Sequence, residues 1–196
     1  MELGNQTLVT EFILIGFSWN FQNCIFLFIL FFIIYIMTMF GNGFLIFTVI
    51  VSPQLHTPMY YFLCNLSFLD LCYSTNALPR LLRDLLSKSR SISVIMCLAQ
   101  MSTGLIMAGI ECILLAVMAY DRYIAICFPL RYTTIMSWRV CRNITVIMWL
   151  GNIFVSLFTI ILRPFVFCKE NQLNHFYCEA LLILEVACDP FFTGQI

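Results

Sequence analysis

From Cys24 to Val51 the chain runs without a charged side chain, and three later stretches come close to matching it. A bilayer's hydrocarbon core is about 30 Å thick and a helix rises about 1.5 Å per residue, so roughly twenty apolar residues cross it with every backbone group bonded internally. The first run, 24–51, exceeds that minimum and is expected to tilt, or to kink near Gly41-Asn42-Gly43. A second, 58–79, closes at Pro79 ahead of Arg80, Arg83, Asp84, Lys88 and Arg90. A third, 95–121, carries Glu111 as its only charge before Asp121, and a fourth, 143–162, stops at Arg163-Pro164. Residues 191–196 would begin a fifth. The expected fold is all-α and membrane-embedded, with four complete spans plus the start of a fifth, joined by segments 1–23, 80–94, 122–142 and 163–190.

Composition excludes several function classes. The chain is 62% hydrophobic and 10% charged, with a mean hydropathy of +0.95, far from the balance of a soluble domain. Lipid is therefore the expected surrounding. Net charge is zero, and ten basic residues scattered over several loops form no stripe suited to a phosphate backbone, so nucleic acid is not an expected partner. His56 and His175 lie far apart and no phosphate-cradling glycine loop is present, so no enzyme is expected.

Orientation follows from cysteines and sequons better than from basic residues, which are as frequent after the second run as after the third. Cys97, Cys168, Cys178 and Cys188 fall at or beyond span ends on one side, whereas Cys24, Cys64, Cys72, Cys112, Cys127 and Cys141 lie within spans or on the other face. Four on one side suggest two disulfides in an oxidising compartment, with three pairings open. Asn5-Gln6-Thr7 is a glycosylation sequon on that side, while Asn65 and Asn143 sit in or at the opposite edge of spans, so Asn5 is the expected acceptor. Met1 to Thr10 lacks both a basic region and an apolar core, so no cleavable signal peptide is expected and the first span is expected to direct insertion. The expectation is a multi-pass cell-membrane protein with its amino terminus outside.

Three constellations carry chemistry. Asp121-Arg122-Tyr123 puts an acid beside a base at the aqueous end of the third span, where an ion pair serves either as an interfacial anchor or as a lock that opens in another state. Asp70 lies thirteen residues beyond Thr57 and Glu111 ten before Asp121, so both acids sit roughly 15–20 Å deep at about 1.5 Å per residue. Two carboxylates at that depth require a proton or a small cation. Met101, Gly104, Leu105, Ala108 and Cys112 recur at three- and four-residue spacing, giving the third span a face of small and apolar side chains. That face leaves room for a ligand or lets a neighbouring helix approach.

Leu55-His56-Thr57-Pro58-Met59-Tyr60-Tyr61-Phe62-Leu63, followed by Leu66-Ser67, Asp70 and Pro79, resembles the second helix of the olfactory receptors, a branch of the rhodopsin-like G-protein-coupled receptors. Met118-Ala119-Tyr120-Asp121-Arg122-Tyr123 resembles the end of their third helix, Gly41-Asn42 their first, Trp149 their fourth, and the Cys168, Cys178, Cys188 series their long loop. The resemblance implies a rhodopsin-like transmembrane helix bundle, disulfides Cys97–Cys178 and Cys168–Cys188, and switch residues Asp121, Arg122 and Tyr123. It also implies a sodium ion at Asp70 and Glu111 with Asn42 beside it, a small volatile odorant as ligand on the Met101–Cys112 face, and an olfactory stimulatory heterotrimeric G protein as partner. Such receptors have seven helices, so the sequence reads as truncated at or before the fifth and is not expected to signal alone. A transporter or channel fragment, or a non-signalling membrane protein, are the competing expectations.

Overall fold

A computed structural model describes residues 10–16, 21–87, 90–162, 172–173 and 175–186. Asn5, Cys168, Cys188 and the tail 191–196 lie outside the described residues.

Four long helices dominate: α1 (Phe21–Val51), α2 (Pro58–Leu86), α3 (Val94–Cys127) and, after the single turn α4 (Tyr132–Ile135), α5 (Trp138–Leu162). A short α6 (Ala180–Val186) follows the loop. Polar residues inside the long helices bond one turn back along their own backbone: Asn42 to Thr38 O at 3.2 Å, Thr48 to Phe44 O at 2.8 Å, Ser102 to Leu98 O at 2.6 Å and Thr103 to Ala99 O at 2.7 Å. Such back-bonding lets an apolar run contain hydroxyls and amides with no donor left idle in lipid. Helix α1 passes unbroken through Gly41–Gly43, where an added Cβ would meet nothing within 4 Å.

The helices outrun the expected spans. Pro58 opens α2 at the first-turn position where its missing N–H costs nothing, but Pro79 does not close it. Pro79 cannot donate to Thr75 O, yet two further turns persist because Arg80 Nε bonds Asp84 Oδ2 at 3.0 Å, one turn on. Helix α3 continues past Arg122 to Cys127, and α5 begins at Trp138 rather than 143. Helices α1, α3 and α5 are long and apolar enough to cross a membrane, over Gln22–Val51, Val94–Cys127 and Trp138–Thr159. Helix α2 is long enough, but Tyr60, Tyr61, Asn65, Asp70 and Tyr73 dilute its apolar content.

Contacts divide into two compact units. One draws on Met1–Phe32, Asn76–Thr103 and Thr159–Ile196. It contains a three-stranded sheet ordered β2-β1-β3, with β1 Glu11–Leu14, β2 Ser91–Ser93 and β3 Gln172–Leu173. Phe12, Leu14, Ile92, Cys97, Met101, Leu173, Cys178 and Ile183 form its core. The other unit draws on Ile33–Thr75 and Gly104–Phe158, with a core of Phe62, Leu69, Ile110, Leu114, Met136, Cys141 and Met148.

Candidate functional site

In the second unit, α1, α2 and α3 enclose an open cleft of about 530 Å³ lined by Thr38, Asn42, Leu69, Asp70, Tyr73, Ser74, Met107 and Glu111. The three residues singled out as an ion site, Asn42, Asp70 and Glu111, thus share one cavity. Asn42 spends an amide hydrogen on Thr38 O, and Ser74 donates to the backbone carbonyls of Asp70 and Leu71 at 2.7 and 3.2 Å, so neither faces the cleft as a committed donor to a carboxylate. Among the described residues, neither Asp70 nor Glu111 makes an ion pair. Groups of three or more His, Cys, Asp or Glu suited to a metal are absent among the described residues, so any cation here would complete its shell with neutral oxygens.

At the other end of α3 the expected lock is rearranged. Asp121 is 2% exposed and accepts a hydrogen bond from Tyr132 Oη at 2.8 Å. No ion pair joins it to Arg122 among the described residues. Adjacent residues on a helix project about 100° apart, so a buried Asp121 leaves Arg122 on the exposed side. Tyr123 is also exposed, its ring edge-on to Phe128 at 6.1 Å. Tyr132 reaches back because α3 ends at Cys127 and Pro129 starts a tight turn, Pro129–Arg131, that feeds α4. Burial pushes the Tyr132 phenol well above its ordinary value, and the hydrogen bond to Asp121 and that carboxylate's charge push it further. Sequence reasoning missed Tyr132, eleven residues beyond the acid; Pro129, which follows the end of α3 eight residues beyond the acid, was the available signal.

The proposed ligand face of α3 divides. Met101 and Gly104 are buried, whereas Leu105, Ala108 and Cys112 are exposed. Helical geometry gives the reason: successive four-residue steps advance the face by about 40° each, so 104, 108 and 112 drift off the packed side, whereas alternating steps of three and four keep to it. The buried line instead runs through Ile110, Leu114, Asp121 and Ile124. Close helix approach occurs one residue from the expected position, at Gly109, where any Cβ would collide with Asn152 Oδ1 of α5.

In the first unit Cys97, at the start of α3, is joined to Cys178 of the loop, and both are fully buried. One turn along, Asn76 and Gln100 exchange bonds: Asn76 Nδ2 donates to Gln100 O at 3.3 Å and Gln100 Nε2 to Asn76 O at 3.1 Å. Tyr177 Oη accepts from Asn76 Nδ2 at 3.0 Å and donates to Gln100 O at 3.2 Å. This clasp lies one turn before Pro79 and ties α2, α3 and the loop together. His175 Nε2 lies 3.8 Å from Glu179, and its Nδ1 accepts from the backbone N–H of Tyr177 at 3.3 Å, a structural placement.

Long apolar helices with two acids, Asp70 and Glu111, in one cleft, a disulfide-tied loop in one unit and a buried acid beside an exposed arginine in the other, define a helical, multi-pass membrane protein. A family profile described as olfactory receptor matches residues 31–196, and the chain belongs to the olfactory receptor family, with its rhodopsin-like helix bundle. It is 44% identical over 185 residues to olfactory receptor 2A7 of Mus musculus, covering 94% of this chain and 60% of that protein. It is 48% identical over 194 residues to olfactory receptor 2D2 of Homo sapiens, covering 98% and 63%, and 46% identical over 189 residues to human olfactory receptor 13C9, covering 96% and 59%. The chain thus spans about three fifths of the length of these relatives. The family is one of receptors, not of enzymes.

Proposed function

We propose that this chain is the part of an odorant receptor that holds one wall of the ligand pocket and the G-protein switch. The observation that carries the reading is the split of α3. Met101 is buried in the unit of the loop disulfide and Gly104 is buried at the start of the other unit's part of α3, while Leu105, Ala108 and Cys112 are exposed and uncharged. A wall of that composition suits small, uncharged, apolar volatiles, since a charged ligand would need a counter-charge in so dry a place. Arg122 and Tyr123, left exposed while Tyr132 holds Asp121, are the groups offered to a heterotrimeric G protein of the olfactory stimulatory type.

The disulfide Cys97–Cys178 belongs in an oxidising compartment, which supports an extracellular amino terminus with Asn5 glycosylated and Cys168–Cys188 as a second bond. Helix α2 then serves as a fourth span beside α1, α3 and α5, with Tyr60, Tyr61 and Asn65 half-buried and Asp70 and Tyr73 on the open cleft. The cleft at Asp70, Glu111 and Asn42 offers carboxylate, amide and hydroxyl oxygens, the donor set of a hard cation. A sodium ion fits it and would supply the positive charge that lets both acids stay ionised.

The test fuses this chain to the remaining segment of human olfactory receptor 2D2, adds an amino-terminal tag, and reads cyclic nucleotide against a panel of volatiles. The tag should stain on intact cells, at least one uncharged volatile should give a dose-dependent response, and Arg122→Ala should remove the response while surface staining holds. Surface-delivered receptor that answers no uncharged volatile, or an Arg122→Ala variant that signals as well as its parent, would refute the reading.

A further inference from the structure

The segment that enters the chain first sits in the middle of the sheet. Strand β1 pairs antiparallel with β2, in the register Glu11 with Ser93, Phe12 with Ile92 and Ile13 with Ser91, and parallel with β3, Ile13 with Gln172 and Leu14 with Leu173. Bonds beyond the strand ends extend both ladders: Val94 N–H to Thr10 O at 3.1 Å, Leu14 N–H to Arg90 O at 3.0 Å and Ile15 N–H to Leu173 O at 2.8 Å. Arg90 Nη1 adds a bond to Ile15 O at 3.1 Å. Gly16, at φ +38°, then ends the strand in a backbone conformation that side-chain-bearing residues rarely adopt.

The two faces of β1 differ sharply. Glu11 and Ile13 point out, whereas Phe12 at 0% exposure and Leu14 at 2% point in. Their inward side chains belong to the same core cluster as Cys97 and Cys178, each at 0% exposure. A disulfide is cleaved only when a thiolate reaches one of its sulfurs. Here both sulfurs lie in a core that Phe12 and Leu14 complete.

We propose that β1 is a redox cover: while it is seated, the Cys97–Cys178 bond is shielded from thiol exchange, and unseating it exposes the bond. Chain order gives the cover its timing. Residues 10–16 are made long before 172–173, so β1 can pair with β2 early but takes its central place only once β3 has been made. The unit is assembled by a late, local step, and the opening that admits a reductant is the unseating of one short strand, not unfolding of the long helices.

The exchange is simple to follow. A dithiothreitol thiolate attacks Sγ of one cysteine and displaces the other as thiolate; the second dithiothreitol sulfur then closes its ring and releases the first, leaving two cysteine thiols and oxidised dithiothreitol. Membranes containing the whole chain are treated with dithiothreitol, quenched with a maleimide at successive times, and mapped by peptide mass for Cys97, Cys178 and Cys141. Cys141, free, fully buried and in the other unit, reports general unfolding. Phe12→Ala should speed release of Cys97 and Cys178 at least tenfold while Cys141 stays unlabelled, Phe12→Leu should fall between it and the parent, and the outward Ile13→Ala should match the parent. Release in Phe12→Ala no faster than in the parent, or release in any variant only in step with Cys141 labelling, would overturn the proposal.

Discussion

Tyr132 does for Asp121 what the adjacent Arg122 cannot. A carboxylate 2% exposed needs a donor aimed at it, and a neighbour about 100° around the helix is aimed elsewhere. Tyr132→Phe removes the donor of the 2.8 Å bond and leaves a buried oxygen short of a partner, a loss of about 1–3 kcal/mol in stability. Thermal unfolding followed by thiol-dye labelling of Cys141 should show a lower midpoint, and an unchanged midpoint would show that the bond contributes nothing. The pH dependence has a definite sign. A raised phenol value means that the protonated form is favoured by folding, so this stability is whole below the ordinary tyrosine range, about pH 10, and fades as pH climbs from there toward the raised value. Tyr132→Phe should lack that alkaline loss. The acid was legible in the sequence because it ended an apolar run; its partner was not, because the turn at Pro129 that returns Tyr132 to α3 is a tertiary event.

At the scale of elements, the length of the apolar runs located the helices but not their ends. Hydropathy marks where lipid contact stops, whereas a helix stops where its hydrogen bonds do; hence α2 runs on past Pro79 through the Arg80–Asp84 pair and α3 past Arg122 to Cys127. The small-residue face of α3 was read about one step off for a related reason, since the ambiguity between Ala108 and Gly109 is a rotation of about 100° that only the neighbouring helix decides. Gly109 is where α5 fixes it. Gly109→Leu is expected to destabilise the second unit by about 1–3 kcal/mol through overpacking against Asn152, read as a drop in the Cys141-labelling midpoint. Gly109→Ala is milder, and adding Asn152→Ala to it should recover most of the loss by vacating the contested space. A Gly109→Leu chain as stable as its parent would mean that the two helices do not meet closely there. The short sheet was not legible at all: four-, three- and two-residue strands are too brief for alternation to stand out, and their partners lie far apart in sequence.

At the scale of the molecule, the class was legible from the apolar runs and the ordered motifs; the common depth of Asp70 and Glu111 was legible from helical rise, whereas Asn42 joined them only through the family resemblance. Their shared cleft predicts a dependence on salt type. Purified chain should unfold at a higher temperature in sodium chloride than in choline chloride of equal ionic strength, and Asp70→Asn or Glu111→Gln should erase the difference. Equal midpoints in the two salts for the parent would remove sodium from the cleft and leave a shared proton as the way the acids coexist. The clasp between Asn76 and Gln100 has a different kind of consequence. Each side chain donates to the other's backbone carbonyl, so replacing either residue removes one bond between α2 and α3, while Gln100 O keeps the bond from Tyr177 Oη. Because each bond ends on backbone, which every residue carries, the two losses simply add, and along a lineage each position could drift without waiting for the other, twenty-four residues away.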